Sequence, residues 1–252
     1  MLVEIFLAIV QAATEFLPIS SSGHLALIMN IFSEADLAII TLLHLASLLA
    51  VLVFLRKELI EMIKLKKESK RKVLMIIIAT VPGAIIGLIF KDYIKNSLNS
   101  FLFIGITFII TGILIFLTKY SKEHSKLNFK NSLLIGLFQS IALFPGISRS
   151  GATISSARLI GIKKEEAFKF SFLLFIPISI GSFIIESKNI LSINYLQTIN
   201  IYSLTIGFTL CFILSLFFLN LVSTIIKKDK FWLFSFYCFF IGVVSIILHF
   251  LI

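Results

Sequence analysis

Polar punctuation divides the chain into six long apolar stretches, at 37–55, 73–90, 101–118, 167–185, 201–226 and 231–252. Each falls near the roughly 17–25 residues that a helix needs to cross the hydrocarbon core of a bilayer. Two further apolar regions, 1–30 and 131–160, are interrupted by FLPISSSG and FPGISRSG. Such Pro, Gly and Ser clusters free backbone groups that a lipid-facing helix could not satisfy. The pattern therefore predicts an all-α integral membrane fold of six transmembrane helices plus two broken, re-entrant hairpins.

Composition agrees with the pattern. Of 252 residues 58% are hydrophobic and only 14% charged, where a soluble domain carries roughly 25% charge. The mean hydropathy is +1.06. A soluble globular protein, a disordered chain and a disulfide framework are all excluded. Cys211 and Cys238 lie in apolar runs and read as helix-packing residues.

Lys and Arg number 23 against 13 Asp and Glu, a net charge of +10. Nineteen of the 23 fall in four connections, 56–72, 119–130, 158–169 and 227–230. If each broken region enters and leaves on one side, all four share a face, which the positive-inside rule makes cytoplasmic. Residues 1–36, 91–100 and 186–200 then face outward. A full crossing by 131–160 would instead put 119–130 and 158–169 on opposite faces. The N-terminus lacks the basic region of a signal peptide, and its apolar stretch carries Gln11, Glu15 and His24. The basicity is topological, and no nucleic acid partner is expected. Arg149, alone inside a broken region, is the exception.

Sliding the chain by 128 residues lays QAATEFLPISSSGHL (11–25) on QSIALFPGISRSGAT (139–153). Six positions coincide: Gln11/Gln139, Phe16/Phe144, Ile19/Ile147, Ser20/Ser148, Ser22/Ser150 and Gly23/Gly151. The order of these matches points to a duplication, with repeat one at 1–118 and repeat two at 131–252. Each copy is a hairpin (1–30 or 131–160) followed by three crossings. An odd number of crossings inverts one copy relative to the other and brings the two tips together near the midplane. A charged group there is a functional-site candidate.

The second tip supplies that charge. Gly146 permits tight turning, Ser148, Ser150 and Thr153 offer hydroxyls, and Arg149 offers a forked guanidinium beside a helix start, a combination suited to phosphate. The first tip holds Gln11 and Glu15 on one helical face, then Ser20, Ser21, Ser22 and His24, with Ser21 and His24 three apart. One hairpin thus offers an acid or metal ligand, a hydroxyl nucleophile and a base. His44, in the first crossing, reads as structural or supporting. His124 and His249 read as incidental. Pro82 and Pro177 read as kinks within crossings.

Gln11-x3-Glu15-Phe-Leu-Pro-Ile-Ser-Ser-Ser-Gly-His24 and Pro145-Gly-Ile-Ser-Arg-Ser-Gly-Ala-Thr153 resemble the two signature motifs of the undecaprenyl-diphosphate phosphatase family, also called bacitracin-resistance proteins. The length and the spacing of the motifs also fit, so the resemblance covers essentially the whole chain. It implies a multi-pass enzyme of the bacterial inner membrane that removes one phosphate from the C55 isoprenoid diphosphate. The product recycles the carrier for peptidoglycan and other wall polymers, and the activity implies bacitracin resistance. By motif position the resemblance makes Glu15, His24 and Arg149 essential, Ser21 the favoured nucleophile, and Ser148 and Thr153 phosphate contacts. The family has Glu or Gln at position 11. With Gln there, Glu15 serves alone, or with phosphate oxygens, as ligand of Mg²⁺ or Ca²⁺.

The expected chemistry is attack by Ser21, deprotonated by His24, on the terminal phosphorus, or direct attack by water with His24 as base. Gln11, Ser20, Ser22, Gly146, Ser148, Ser150 and Thr153 are the expected substrate contacts. The expected partners are a polyprenyl diphosphate lipid, the bilayer and a second copy in a homodimer, with the site opening to the periplasmic side. The alternative is a transporter or flippase of isoprenyl phosphate lipids, because inverted repeats with broken helices also suit alternating access.

Overall fold

A computed structural model describes residues 2–32, 37–64, 66–190 and 201–251. The described residues form α1 (Leu2–Phe16), α2 (Ser21–Phe32), α3 (Leu37–Phe54), α4 (Arg56–Ile63), α5 (Lys67–Ile89), α6 (Lys91–Ser97), α7 (Phe101–Leu117), α8 (Phe129–Ile141), α9 (Arg149–Leu159), α10 (Lys164–Ile190), α11 (Ile201–Lys227) and α12 (Phe234–Leu251). Short 3-10 turns occupy Thr118–Tyr120 and Phe231–Leu233. An isolated bridge joins Ser125 to Ile162, and no strand occurs among the described residues.

Five helical segments are long and apolar enough to cross a membrane: Lys67–Ile89, Phe101–Tyr120, Lys164–Ile185, Ile201–Lys227 and Phe231–Leu251. The sixth expected stretch is α3, which reaches that standard together with α4 across a 71° bend. The connector 56–72 is therefore α4 plus the first turns of α5, and the outward connection 91–100 contains α6. Residues 33–36 and 191–200, read as outward connections, lie outside the described residues. Pro82 and Pro177 do fall inside helices, α5 and α10.

Glycines set how closely the helices pack. On α7 and α12, a Cβ added to Gly105 would lie 2.8 Å from the Gly242 carbonyl, and one on Gly112 would lie 2.6 Å from the Phe239 ring. Between lipid-soaked helices such close backbone approach replaces the hydrophobic drive. Gly136 likewise lets α8 press on the backbone of Ala79 in α5. Helix α1 packs on α11, α11 on α3, and α3 on α10. The central core gathers Phe16, Phe168, Phe172 and Phe175. Leu88, Phe240 and Phe250 stay largely exposed on the outside, where lipid rather than water suits them.

The four basic connections meet at one end. Arg158 pairs with Glu123 (3.0 Å) and Asp229 (3.3 Å), Lys164 pairs with Asp229, and Lys169 pairs with Glu58 (2.7 Å). The Lys164 amide also donates to Glu123 (3.1 Å). These contacts tie 56–72, 119–130, 158–169 and 227–230 together, as the charge pattern requires. Helices α8 and α9 consequently leave and return at the same end. At the other end Asn30 Nδ2 donates to the Leu98 carbonyl (2.8 Å), joining α2 to the turn after α6. Arg149 precedes Arg158 by nine residues and Ser21 precedes Asn30 by nine, so each tip lies about 13 Å along its helix from its own end.

Candidate active site

Two helix starts face each other at the tips. Ser20 Oγ accepts from the Gly23 amide (3.2 Å), and Ser148 Oγ accepts from the Gly151 amide (3.1 Å), capping α2 and α9. A Cβ on Gly23 would sit 2.8 Å from Gly146 Cα, so bare backbone is what lets the tips touch. Helix α7 braces the second tip: Thr107 Oγ1 donates to the Pro145 carbonyl (2.6 Å) and Thr111 Oγ1 to the Gly146 carbonyl (2.9 Å). The Thr111 hydroxyl also accepts from the Ser148 amide (3.1 Å). Gly146 turns with φ +90°, and Ser20 adopts φ 65°, a left-handed conformation that costs a serine roughly 1–3 kcal/mol.

Glu15 is the hub. Its Oε1 accepts from Arg149 Nη2 (2.6 Å), joining the tips across 134 residues. Its Oε2 accepts from Ser21 Oγ (2.6 Å) and from Gln11 Nε2 (3.1 Å). His44 Nε2 lies 3.4 Å from the same oxygen. His44 Nδ1 donates to the Ile40 carbonyl (2.9 Å). The Arg149 guanidinium lies 3.9 Å over the Phe175 ring, and its Nη1 is buried with no partner.

The expected pairing of Ser21 with His24 is not formed. His24 Nδ1 donates to the Ser20 carbonyl (2.7 Å), and Nε2 meets the Tyr237 hydroxyl (2.7 Å). One turn of helix separates Ser21 from His24, but the left-handed Ser20 aims Ser21 back at α1 while His24 faces α7 and α12. Several expected substrate contacts are instead engaged within the protein. Ser150 Oγ shares a hydrogen bond with Ser148 Oγ (3.2 Å), and Thr153 Oγ1 donates to the Arg149 carbonyl (2.8 Å) and pairs with Ser171 (2.6 Å). Ser20, Ser148, Ser150 and Thr153 are all buried, because their hydroxyls hold the tips in shape. Gln11 is buried as well and orients Glu15. Ser21, Ser22, His24, His44 and Arg149 keep partial exposure.

His44 takes the supporting place its sequence position suggests, beside Glu15, whereas Tyr237, Phe175, Thr107 and Thr111 were not anticipated. The two threonines, four apart on an otherwise apolar crossing, were a usable signal for one polar face. One Phe among 27 carries no such mark.

For a divalent cation the donors beside Arg149 are all oxygens: Glu15, Ser21 and Gln11 Oε1, which is buried without a partner. That set suits Mg²⁺ or Ca²⁺. Among the described residues no group of three His, Cys, Asp or Glu could hold a metal.

Fold and site together define an all-helical membrane protein in which two broken-helix tips bring Arg149 and Ser21 onto one buried carboxylate, Glu15. Residues 4–244 match the family model of bacitracin resistance protein BacA, and the chain belongs to that family. It is 42% identical to the undecaprenyl-diphosphatase of Thermosipho melanesiensis over 97% of this chain and 98% of that protein. It is 38% identical to the undecaprenyl-diphosphatase of Methanococcus vannielii, over 93% and 95% of the two chains. It is 34% identical to that of Halothermothrix orenii, over 97% and 96%.

Proposed function

We propose that this protein hydrolyses undecaprenyl diphosphate to undecaprenyl phosphate and inorganic phosphate, renewing a lipid carrier for wall polymers and conferring bacitracin resistance. The observation that carries this reading is the juxtaposition of Arg149, with its buried and unpartnered Nη1, and Ser21, with its hydroxyl on Glu15. An anion is what an orphaned guanidinium nitrogen at a helix start lacks. A carrier needs that arginine but has no use for a serine already hydrogen-bonded to a carboxylate.

Arg149 and the amides at the starts of α2 and α9 hold the diphosphate. Ser21 Oγ attacks the terminal phosphorus in line and its proton passes to Glu15. The bond from that phosphorus to the bridging oxygen breaks, and undecaprenyl phosphate leaves with the electron pair. Water then cleaves the phosphoserine, releasing inorganic phosphate and returning the proton to Ser21. Gln11, Glu15 and Ser21 would hold the divalent cation, which when bound neutralises part of the phosphate charge. Positioning and charge stabilisation dominate such transfers.

The inverted repeat is supported by contacts that recur under the same shift of 128 residues. Besides the two serine caps, Ser20 Oγ meets Ser22 Oγ (3.3 Å) as Ser148 Oγ meets Ser150 Oγ. One residue out of that register, Cys238 donates to the Pro18 carbonyl (3.5 Å) much as Thr111 does to that of Gly146. Helix α1 lies on α11 as α8 lies on α5. Entry of substrate from the outer side follows from this topology, with the ion pairs of Arg158 and Lys164 tying the basic connections together at the opposite end. The basic end itself is assigned to the cytoplasm by its charge.

Purified protein in detergent with Mg²⁺ is expected to release inorganic phosphate from undecaprenyl diphosphate. Ser21→Ala is expected to lower that rate by about 10³-fold or more, and acid quenching of the wild type should trap phosphate on Ser21. No release by the wild type would overturn the proposal and favour a lipid carrier. Full activity in Ser21→Ala would remove the nucleophile assignment alone.

A further inference from the structure

Threonine hydroxyls inside helices commonly fold back on their own backbone. Thr14, Thr80, Thr205 and Thr224 do so, each donating to the carbonyl four residues earlier at 2.7, 2.8, 2.8 and 2.9 Å. Thr111, buried in the middle of α7, spends its hydroxyl on another element. It donates to the Gly146 carbonyl at 2.9 Å and accepts from the Ser148 amide at 3.1 Å. One hydroxyl thus bridges a carbonyl and the amide two residues on, the pair that a γ-turn would close directly.

The bridge decides which donors the start of α9 offers. The Ser148 amide goes to Thr111 and the Gly151 amide to Ser148 Oγ (3.1 Å), while the Ala152 amide makes the first helical bond, to the Ser148 carbonyl (2.8 Å). The amides of Arg149 and Ser150 are left without a protein acceptor among the described residues. They are the first two of the helix, and such amides point out of its start. Arg149 adds Nη1, buried with no partner. Three unpaired donors on two successive residues suit the several oxygens of a phosphoryl group.

Resting on the diphosphate reading above, we propose that Thr111 is a positioning residue for the reaction: its hydroxyl stands between the Gly146 carbonyl and the Ser148 amide, so that Ser148 caps α9 and the amides of Arg149 and Ser150 stay free for the phosphate. Without the hydroxyl, the closure open to those two groups is a γ-turn, which redirects the chain one residue before Arg149. Thr107 does not replace it. Its one hydroxyl proton is shared among the carbonyls of Phe103 (3.0 Å), Ile104 (2.8 Å) and Pro145 (2.6 Å), so it meets the tip only at Pro145.

Thr111→Val keeps the shape of the side chain and removes donor and acceptor together. It is expected to lower kcat/KM by about 10²-fold, the effect of displacing a reacting group by about 1 Å. Thr111→Ser restores the hydroxyl and is expected to stay within about threefold of the wild type. Ser245→Ala is the control for a lost buried hydrogen bond: Ser245 Oγ donates to the Phe101 carbonyl at 2.7 Å, at the other end of α7, about 15 Å from Thr111. It is expected to melt lower in detergent with wild-type kcat/KM. Wild-type kcat/KM in Thr111→Val, no recovery in Thr111→Ser, or an equal loss in Ser245→Ala overturns the inference. Should Thr111→Val not fold, Thr111→Cys, a weaker donor and acceptor, takes its place with an expected loss of about tenfold, and wild-type kcat/KM in that variant overturns the inference as well. A second readout needs no turnover. Calorimetric titration with inorganic pyrophosphate is expected to show binding about tenfold weaker in Thr111→Val and unchanged in Thr111→Ser and Ser245→Ala. Equal binding by the wild type and Thr111→Val overturns the inference. If the wild type released no phosphate from the lipid, the proposed hydrolysis would fall while pyrophosphate binding still decided the role of Thr111.

Discussion

Arg149 carries two burdens that substitution can separate. It neutralises Glu15, whose carboxylate is 7% exposed, and it presents a second nitrogen with no protein partner. Arg149→Ala takes the guanidinium from a buried carboxylate, and breaking such a pair costs about 3–5 kcal/mol. Arg149→Lys keeps the charge but loses the planar fork and the stack on Phe175. The alanine variant is therefore expected to lose both thermal stability and phosphate release. The lysine variant is expected to keep most of its stability and lose about 10²–10³-fold in kcat/KM. Unfolding in detergent beside a phosphate-release assay checks both. At this scale the sequence was partly legible. Glu15, Ser21 and Arg149 stood out because polar groups inside apolar runs have few bland explanations. His44 could be read only as supporting, because an isolated histidine on a crossing has no local partner to mark it. The Ser21–His24 pair was misread because spacing on a helix fixes a face and says nothing of a left-handed residue at the helix start.

At the scale of the element, the second tip depends on backbone that only glycine can supply. Gly146 combines φ +90° with a position where an added Cβ would overlap Thr107. Gly146→Ala is expected to cost about 2 kcal/mol or more from the strained dihedral and the clash together. It should also lower activity, because it displaces Arg149 three residues on. Gly181→Ala in α10 is the control: a Cβ there meets nothing within 4 Å, and the variant is expected to unfold within about 1 kcal/mol of the wild type. Equal melting of the two would remove the argument for the tip. The helices themselves were legible, since hydrophobic run length is a strong and local signal. The boundary at Leu55 was legible where the apolar stretch gives way to Arg56, but the 71° angle between α3 and α4 was not. Helix α6 was missed as well, being seven residues with charge at both ends.

For the whole molecule, charge alone predicted which connections share an end, and the ion pairs that link Glu58, Glu123, Arg158, Lys164, Lys169 and Asp229 bear that grouping out. Those exposed pairs contribute little energy each, typically about 0–1 kcal/mol. The grouping must therefore come from where the crossings deliver the loops, with the salt bridges following from it. That ordering is open to measurement. Cys211 and Cys238 are buried, so single cysteines introduced at Lys64, Lys122, Lys228 and Asn96, all exposed, report on their own surroundings. A membrane-impermeant maleimide is expected to label the first three from the same side, the cytoplasmic one, and Asn96→Cys from the opposite side. Adding Arg158→Ala to each should leave the pattern unchanged if crossings and not salt bridges set it. Labelling of Lys64→Cys and Lys122→Cys from opposite sides would mean that an even number of crossings does not separate them. The two tips would then no longer approach the midplane from opposite faces, and the shared centre of Glu15 and Arg149 would lose its basis in the duplication.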